Sequence, residues 1–206
     1  MRNLVLIYIL LLFGSFYAYS QSEDILSPLR TNKKILTVER ASAPYYAIQI
    51  LALKLTPQNP DFFVNVDNAR EFICDDGYVR YVVGEYQTFS DAALDLETVK
   101  AKGYSDAFVV NTAKLGLEPQ KMNTLVIDPD KYYLIQLSAF RFPVYLTYFD
   151  GIDKVLEFYM KDKIYRYCTD KIIGSEVEAE LKKIKNSGYK NAFIVDYEKY
   201  LPFKIE

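Results

Sequence analysis

The sequence contains no histidine, no tryptophan and only two cysteines. Without histidine, the chain lacks the side chain that most often serves as a general base near neutral pH and as a transition-metal ligand. Two cysteines cannot form a disulfide framework. Cys74 and Cys168 are therefore predicted to be separate buried thiols, with a bridge between them as the alternative in an oxidising compartment. We predict no metal, no cofactor and no catalytic residue, so the chain is not expected to be an enzyme.

An excess of positive charge is also missing, because 25 Lys and Arg face 27 Asp and Glu, a net charge of −2. Nucleic-acid binding depends largely on Lys and Arg contacts to phosphates, so no nucleic-acid partner is predicted. Aromatic residues are plentiful, with 19 Tyr and 13 Phe. Such a content suits either packing on a sheet or a surface that stacks on a flat ligand.

The N-terminus has the pattern of an export signal. Met1–Asn3 carries one positive side chain, Leu4–Phe13 is an unbroken apolar run, and Ala18-Tyr19-Ser20 is a small-x-small cleavage site. A helix that crosses a bilayer needs about 20 apolar residues, so this run is short for a span. A cleaved signal peptide over residues 1–20 is predicted, with an uncleaved anchor as the alternative. No stable membrane span is expected after cleavage.

The rest of the chain contains an internal repeat, with two copies of one sequence unit. "YYAIQILALK" at 45–54 matches "YYLIQLSAFR" at 132–141, and "YVRYVV" at 78–83 matches "IYRYCT" at 164–169. "KGYSDAFVV" at 102–110 matches "SGYKNAFIV" at 187–195. Two copies of this size favour two compact domains over a solenoid.

The elements of each copy follow from periodicity. The first segment alternates between an apolar and a mixed face, which predicts a strand. A weak helix is predicted at 67–72 and 153–159, then a turn at Asp75-Asp76-Gly77 and a β-rich strand. Asp75-Asp76-Gly77 resembles a metal loop only superficially, because it lacks the further ligands of a calcium site. The second helix is the clearest element, with Ser90 and Ser175 as the predicted N-caps, and Gly103 and Gly188 end it.

The order β-α-β-β-α-β, with right-handed crossovers, predicts a four-stranded antiparallel sheet with both helices on one face. The fold class is therefore α+β, with two tandem ferredoxin-like domains whose first and third strands are neighbours. The predicted organisation consists of a signal peptide at 1–20, a lead-in at 21–44, domain 1 at 45–112, a linker at 113–131, domain 2 at 132–197 and a tail at 198–206. Within the lead-in, residues 34–38 could add a short strand.

Three segments in order, "YYAIQILALK", "DGYVRYVVGEY" and "AKGYSDAFVV", resemble the signatures of the SPOR domain (sporulation-related repeat). The resemblance covers about 45–111 and, in a degenerate form, 132–196. It implies a module of the bacterial cell envelope, often in cell-division proteins, that binds peptidoglycan glycan strands stripped of stem peptides. The implied location is the periplasm, and the implied role is non-catalytic.

The resemblance places the binding face on the Gln of the first strand, an aromatic residue before the third strand and an Arg two residues later. In the first copy these are Gln49, Tyr78 and Arg80, and in the second copy the matching polar residues are Gln136 and Arg166. Strand alternation independently places Gln49, Tyr78 and Arg80 on the face away from the helices.

The second copy departs from the pattern at two positions. Ile164 replaces the aromatic residue, and Asp170 replaces Gly84. Both departures weaken the prediction of glycan binding for that copy, and the arginines could instead be cross-strand charge partners. The alternative function is an envelope protein–protein interaction module of a secretion, motility or division complex. RNA binding on an aromatic sheet face is a third reading, which the acidic balance and the export signal disfavour.

Overall fold

The computed structural model describes residues 24–117 and 125–205. The predicted signal peptide lies outside the described residues. No helix among those described is long and apolar enough to cross a membrane. The strands are β1 Lys34–Thr37, β2 Tyr46–Leu53, β3 Asn68–Ile73, β4 Val79–Tyr86, β5 Phe108–Asn111, β6 Tyr132–Phe140, β7 Val155–Tyr159, β8 Tyr165–Thr169, β9 Ile172–Ile173 and β10 Phe193–Asp196. The helices are α1 Phe89–Ala101, α2 Gly174–Asn186 and α3 Tyr197–Tyr200.

All ten strands join one continuous mixed sheet, in the order β5-β2-β4-β3-β1-β6-β8-β7, with β9 and β10 paired to β6. The prediction of two separate ferredoxin-like domains is therefore wrong. We call β2–β5 with α1 the first half and β6–β10 with α2 and α3 the second half. The halves meet at β1, which is parallel to β3 and antiparallel to β6. An unpaired strand edge invites pairing, and β1 from the lead-in covers the edge that β3 would expose.

The first predicted helix of each copy is also wrong, because 67–72 and 153–159 fall on β3 and β7. Short 3-10 turns, Pro60–Phe62 and Leu146–Tyr148, take the place of those helices. Helix propensity is a weak preference that tertiary pairing overrides. β3 is held between β4 and β1, and its internal charge, Glu71, is neutralised across the sheet by Arg141.

Within each half the first and third strands are neighbours, as predicted, through the pairs β2–β4 and β6–β8. The two helices lie on opposite faces of the shared sheet. Ile35 packs in the core beneath α1, whereas the next residue, Leu36, pairs with Phe140 and packs in the core beneath α2. On each face of the sheet, therefore, the long helix of one half covers that half, and the other half has no long helix.

The second helix of each copy is confirmed, and its predicted caps are wrong. Thr88, not Ser90, is the N-cap of α1 and forms a capping box with Asp91. The helix α2 begins at Gly174 without a side-chain cap, so Ser175 lies inside the helix. Gly103 and Gly188 follow the helices with φ of 107° and 115°, values that favour glycine and agree with their predicted role as helix stops.

Buried charge pairs join the two halves to each other and the lead-in to the second half. Glu71, which is fully buried, accepts hydrogen bonds from Arg141 Nη2 at 2.6 Å and Nε at 2.9 Å. The Tyr81 hydroxyl also donates to this carboxylate at 2.8 Å. At the matching position of the second half, Glu157 accepts from Arg30 Nη2 at 2.6 Å and Nη1 at 2.9 Å. The lead-in therefore contributes both a strand and a charged side chain to the folded core.

The cysteines are free and buried, which confirms the prediction of separate thiols. Cys74 directly follows β3, before the turn that leads to β4, and Cys168 lies on β8. Burial raises the pKa of both thiols. Asp75-Asp76-Gly77 forms the predicted turn, in which Gly77 has a φ of 78°.

Candidate functional site

The four predicted polar residues form two equivalent pairs, which we call the Gln–Arg pairs. Gln49 and Arg80 make up the first-half pair, and Gln136 and Arg166 make up the second-half pair. Each pair lies on the sheet face opposite the long helix of its own half, because the flanking residues of the strands pack beneath that helix. The strand alternation predicted this placement for Gln49 and Arg80.

The two pairs also share one backbone geometry. A register irregularity in β2 recurs at the same place in β6, so Gln and Arg have the same offset in both halves. The matching cross-strand partners are Gln49↔Val82, Leu51↔Tyr81 and Ala52↔Arg80 in the first half, and Gln136↔Cys168, Ser138↔Tyr167 and Ala139↔Arg166 in the second.

In the second half, residues of the chain itself occupy the Gln–Arg pair. Glu39, from the segment after β1, accepts hydrogen bonds from Arg166 Nε at 3.0 Å and Nη2 at 2.8 Å. The other carboxylate oxygen of Glu39 accepts from Gln136 Nε2. The Tyr200 hydroxyl donates to Gln136 Oε1 at 2.7 Å. Gln136 and Arg166 are only 2% and 6% exposed as a result.

Arg166 has a second carboxylate partner, Asp162, which accepts from its Nη1 and Nη2 at 2.9 and 2.7 Å. Burial alone would lower the pKa of Arg166, but the hydrogen bond to Asp162 and the charge of Glu39 outweigh it and raise that pKa. Burial raises the pKa of Tyr200, which keeps its hydroxyl a donor at neutral pH. This network therefore belongs to the interior except for the exposed side of Asp162, and it sets one guanidinium against two carboxylates.

In the first half, Arg80 keeps the equivalent of the Asp162 contact, and its guanidinium also interacts with the Cys74 sulfur. Asp76 accepts from Arg80 Nη1 and Nη2 at 2.9 and 2.6 Å, and this hydrogen bond lowers the pKa of Asp76 to about 2. Within residues 24–117 and 125–205, no acceptor is hydrogen-bonded to Arg80 Nε, and the amide of Gln49 makes no side-chain hydrogen bond. The side chain of Arg80 is 23% exposed, against 7% for Arg166.

Aromatic side chains flank the first-half pair. Phe108 is the cross-strand partner of Gln49 on β5 and is 51% exposed. Tyr78 is half-buried, and its ring centroid lies 5.7 Å from the Arg80 guanidinium carbon and 5.5 Å from Lys54 Nζ. In the second half, Ile164 replaces Tyr78 and is fully buried.

Each half also covers part of this face with the segment that follows its last strand. In the first half, Leu115 and Leu117 pack on the sheet around Phe72 and Val82, and Leu117 bridges to Cys74. In the second half, α3 and the residues after it cross the face, and Lys204 bridges to Phe158. Neither face is as open as predicted, because these segments were assigned to a linker and a tail.

Sequence reasoning missed the partners of the Gln–Arg pairs. Asp76 and Asp162 could have been found, because both stand four residues before the Arg in their copy. Glu39 and Tyr200 have no counterpart in the other copy, and Glu39 reaches Arg166 across 127 positions of the chain. Only the folded structure brings those two residues to the pair.

A second candidate site is a cleft of about 690 Å³ between the halves. The segment 36–44 and β6 line it together with residues of β3 and β4, the loop after α2 and the turn before β7. Its lining includes Glu39 and Gln136 of the second-half pair. The lining carries both signs of charge and several rings, and includes Arg70, Phe72, Glu85, Tyr148, Tyr189 and Lys190. Within the described residues, no group of three or more His, Cys, Asp or Glu side chains is placed to hold a metal ion.

Comparison of the chain with protein-family models, with curated proteins and with solved structures gave no match. The resemblance to the SPOR domain therefore stays a prediction from the sequence signatures. The class of protein that the fold and site define is an α+β protein with one continuous sheet and two structurally equivalent Gln–Arg pairs, of which one binds Glu39 and the other binds no carboxylate of the described residues on the Nε edge of its Arg.

Proposed function

We propose that the protein is an exported, non-catalytic binding protein of the bacterial envelope, located in the periplasm, that binds peptidoglycan glycan strands through its first half. The observation that carries this proposal is the contrast between the two Gln–Arg pairs. Gln136 and Arg166 contact Glu39, Asp162 and Tyr200, whereas no carboxylate of the described residues is bound on the Nε edge of Arg80, and the exposed ring of Phe108 lies next to Gln49.

The chemistry of the first-half pair suits an amino sugar polymer. A Gln amide offers both a donor and an acceptor to hydroxyl and N-acetyl groups. The planar guanidinium of Arg80 matches carboxylate and carbonyl oxygens. Phe108 and Tyr78 supply apolar area against a pyranose ring. Several such contacts along a strand add up to a usable affinity although each one is weak.

In this account the second half supports the first half and does not bind a strand. Its Gln–Arg pair holds the lead-in in place through Glu39 and holds the C-terminal segment through Tyr200. The lead-in in turn supplies β1 between the halves. Two copies of one unit would then have diverged into a binding copy and a structural copy.

The test is a pull-down on purified wall sacculi, with and without amidase treatment to remove stem peptides. We expect retention that increases after amidase treatment and that is lost in Tyr78→Ala/Arg80→Ala. Lys183→Ala, at an exposed position on α2, is the control and should be retained like the wild type. Unchanged retention of the double variant would refute the assignment to the first half, and no retention on any sacculus would refute glycan binding.

The alternative is a protein–protein interaction module of the envelope, and the cleft between the halves favours it. The cleft has walls of mixed charge and exposes sheet residues beside the loop 187–191. If sacculi do not retain the protein, variants with substitutions in this cleft should be tested first for loss of binding to a protein partner. Arg70→Ala and Lys190→Ala change its charge without touching the Gln–Arg pairs.

A further inference from the structure

The two Gln–Arg pairs have the same residues and the same register but different occupants. The second-half pair holds a carboxylate, that of Glu39, on the Nε edge of Arg166 and on the amide of Gln136. Nε and Nη2 of Arg166 both donate to Oε1 of Glu39, and Gln136 donates to Oε2. Hydrogen bonds between an Arg and a carboxylate are charge-assisted and roughly twice as strong as neutral ones. The second half therefore shows that a Gln–Arg pair of this geometry can bind a carboxylate.

The first-half pair offers the same groups to an outside ligand. Arg80 uses Nη1 and Nη2 for Asp76, as Arg166 uses them for Asp162. The edge of Arg166 that binds Glu39 corresponds to the Nε edge of Arg80, on which no carboxylate of the described residues is bound, although the Cys74 sulfur interacts with the guanidinium. Leu115, the residue that aligns with Tyr200 when the last strands of the two halves are matched, cannot donate to Gln49.

Gln49 is the second group of the first-half pair. It is 8% exposed, and its amide has no hydrogen-bond partner in the described ranges, but no fully buried side-chain N or O atom without a partner is found among the described residues. The amide therefore offers a ligand a donor and an acceptor, not relief from a cost of burial. The amide is thus placed as its counterpart Gln136 is, beside an Arg and behind an exposed aromatic ring.

We propose that Gln49 and Arg80 form a binding site for an external carboxylate, and that Glu39 is the internal carboxylate that fills the equivalent site of the second half. The site itself is independent of the proposed function. The natural source of the carboxylate rests on the proposed function. Removal of a stem peptide from a glycan strand leaves the lactyl carboxylate of N-acetylmuramic acid free, whereas an intact strand carries an amide at that position.

The first experiment compares N-acetylmuramic acid with its methyl ester by titration calorimetry or by NMR. The ester keeps the ring and the N-acetyl group but lacks the charge. We expect the acid to bind the wild type about tenfold more tightly or better, because hydrogen bonds between two charged groups are roughly twice as strong as neutral ones. Equal affinity for the acid and the ester, or binding of neither, would overturn the proposal.

Variants then locate the site. Gln49→Leu and Arg80→Lys should each remove most of the preference for the acid, because Lys lacks the planar fork. Arg70→Ala is the matched control, since Arg70 lies on the same sheet face but contacts Glu85 and the Gly84 carbonyl oxygen. If Arg70→Ala removes the preference and Arg80→Lys keeps it, the carboxylate binds in the cleft and the proposal is wrong.

The second experiment removes the Glu39 carboxylate from the second-half Gln–Arg pair. Glu39→Ala should lower the melting temperature, and sodium acetate should raise it again more than sodium chloride of equal concentration does. Glu39→Gln is the control, because its side chain still fills the space and acetate should then act no differently from chloride. If Glu39→Ala does not fold in chloride, the same comparison is made on refolding yield. No difference between acetate and chloride would contradict the role of Glu39.

The two proposals fail in different ways. Retention on sacculi without discrimination between the acid and the ester would leave glycan binding in place and overturn the carboxylate site. Discrimination between the acid and the ester without retention on sacculi would support the carboxylate site and refute glycan binding, and the natural carboxylate would then come from another molecule.

Discussion

The seam between the halves makes a sharp prediction for stability. Arg141→Met removes the cation that neutralises Glu71, a side chain with no exposed surface. Breaking a buried ion pair by removing one partner costs about 3–5 kcal/mol, because an uncompensated charge is left behind. A typical domain has a free energy of unfolding of about 5–15 kcal/mol, so the variant should lose a large part of its stability.

The companion variant tests the reason for that loss. Arg141→Met/Glu71→Gln removes both charges and leaves an acceptor for the Tyr81 hydroxyl, so it should recover about 2 kcal/mol or more relative to Arg141→Met. The control is Arg80→Met, which breaks a partly exposed pair and should cost about 1 kcal/mol or less. Urea unfolding followed by circular dichroism measures all three free energies. A cost below about 1 kcal/mol for Arg141→Met, or no recovery in the double variant, would refute the reasoning.

Three further predictions follow from the contacts already described. Thr88→Ala removes the N-cap of α1 and should lower the free energy of unfolding by about 1 kcal/mol, and a change below about 0.3 kcal/mol in urea unfolding would contradict the capping box. Tyr200→Phe leaves the oxygen of buried Gln136 without its donor and should cost about 1–3 kcal/mol; an unchanged melting temperature would count against that bond. The pKa of Asp76 is lowered to about 2, so its contribution to stability is present above pH ~4 and is lost as the pH falls toward 2. NMR titration of the carboxyl carbon should show that midpoint in the wild type and a higher one in Arg80→Ala, where the Tyr78 N–H still donates to Asp76, and equal midpoints would contradict the pairing.

Local patterns predicted most of the strands and the sidedness of the candidate site. The alternation around Gln49 placed it opposite Ile48 and Ile50, and those two residues do pack beneath α1. The glycines that end α1 and α2 were predicted because only a few residues around each helix end decide its geometry. These features are determined by residues that are close in the sequence, so they can be predicted from the sequence alone.

The features that were missed depend on contacts between distant parts of the chain. Nothing near Lys34–Thr37 shows that this four-residue strand lies between the halves, because its partners are β3 and β6. The stretch 67–72 was predicted to be a weak helix, and nearly all of it is part of β3. Glu71 is tolerated inside β3 only because Arg141, from the other copy, pairs with it.

The most direct test of the account is a map of where a carboxylate-bearing sugar binds. Uniformly 15N-labelled protein would be titrated with N-acetylmuramic acid, and the backbone and side-chain amide shifts followed. The account predicts that the largest changes fall at the Gln49 side-chain amide, at Arg80 Nε and at the amide of Phe108, while Gln136 and Arg166 stay unchanged. Largest changes at Gln136 and Arg166, or none at Gln49 and Arg80, would contradict the division of the two copies into a binding half and a structural half.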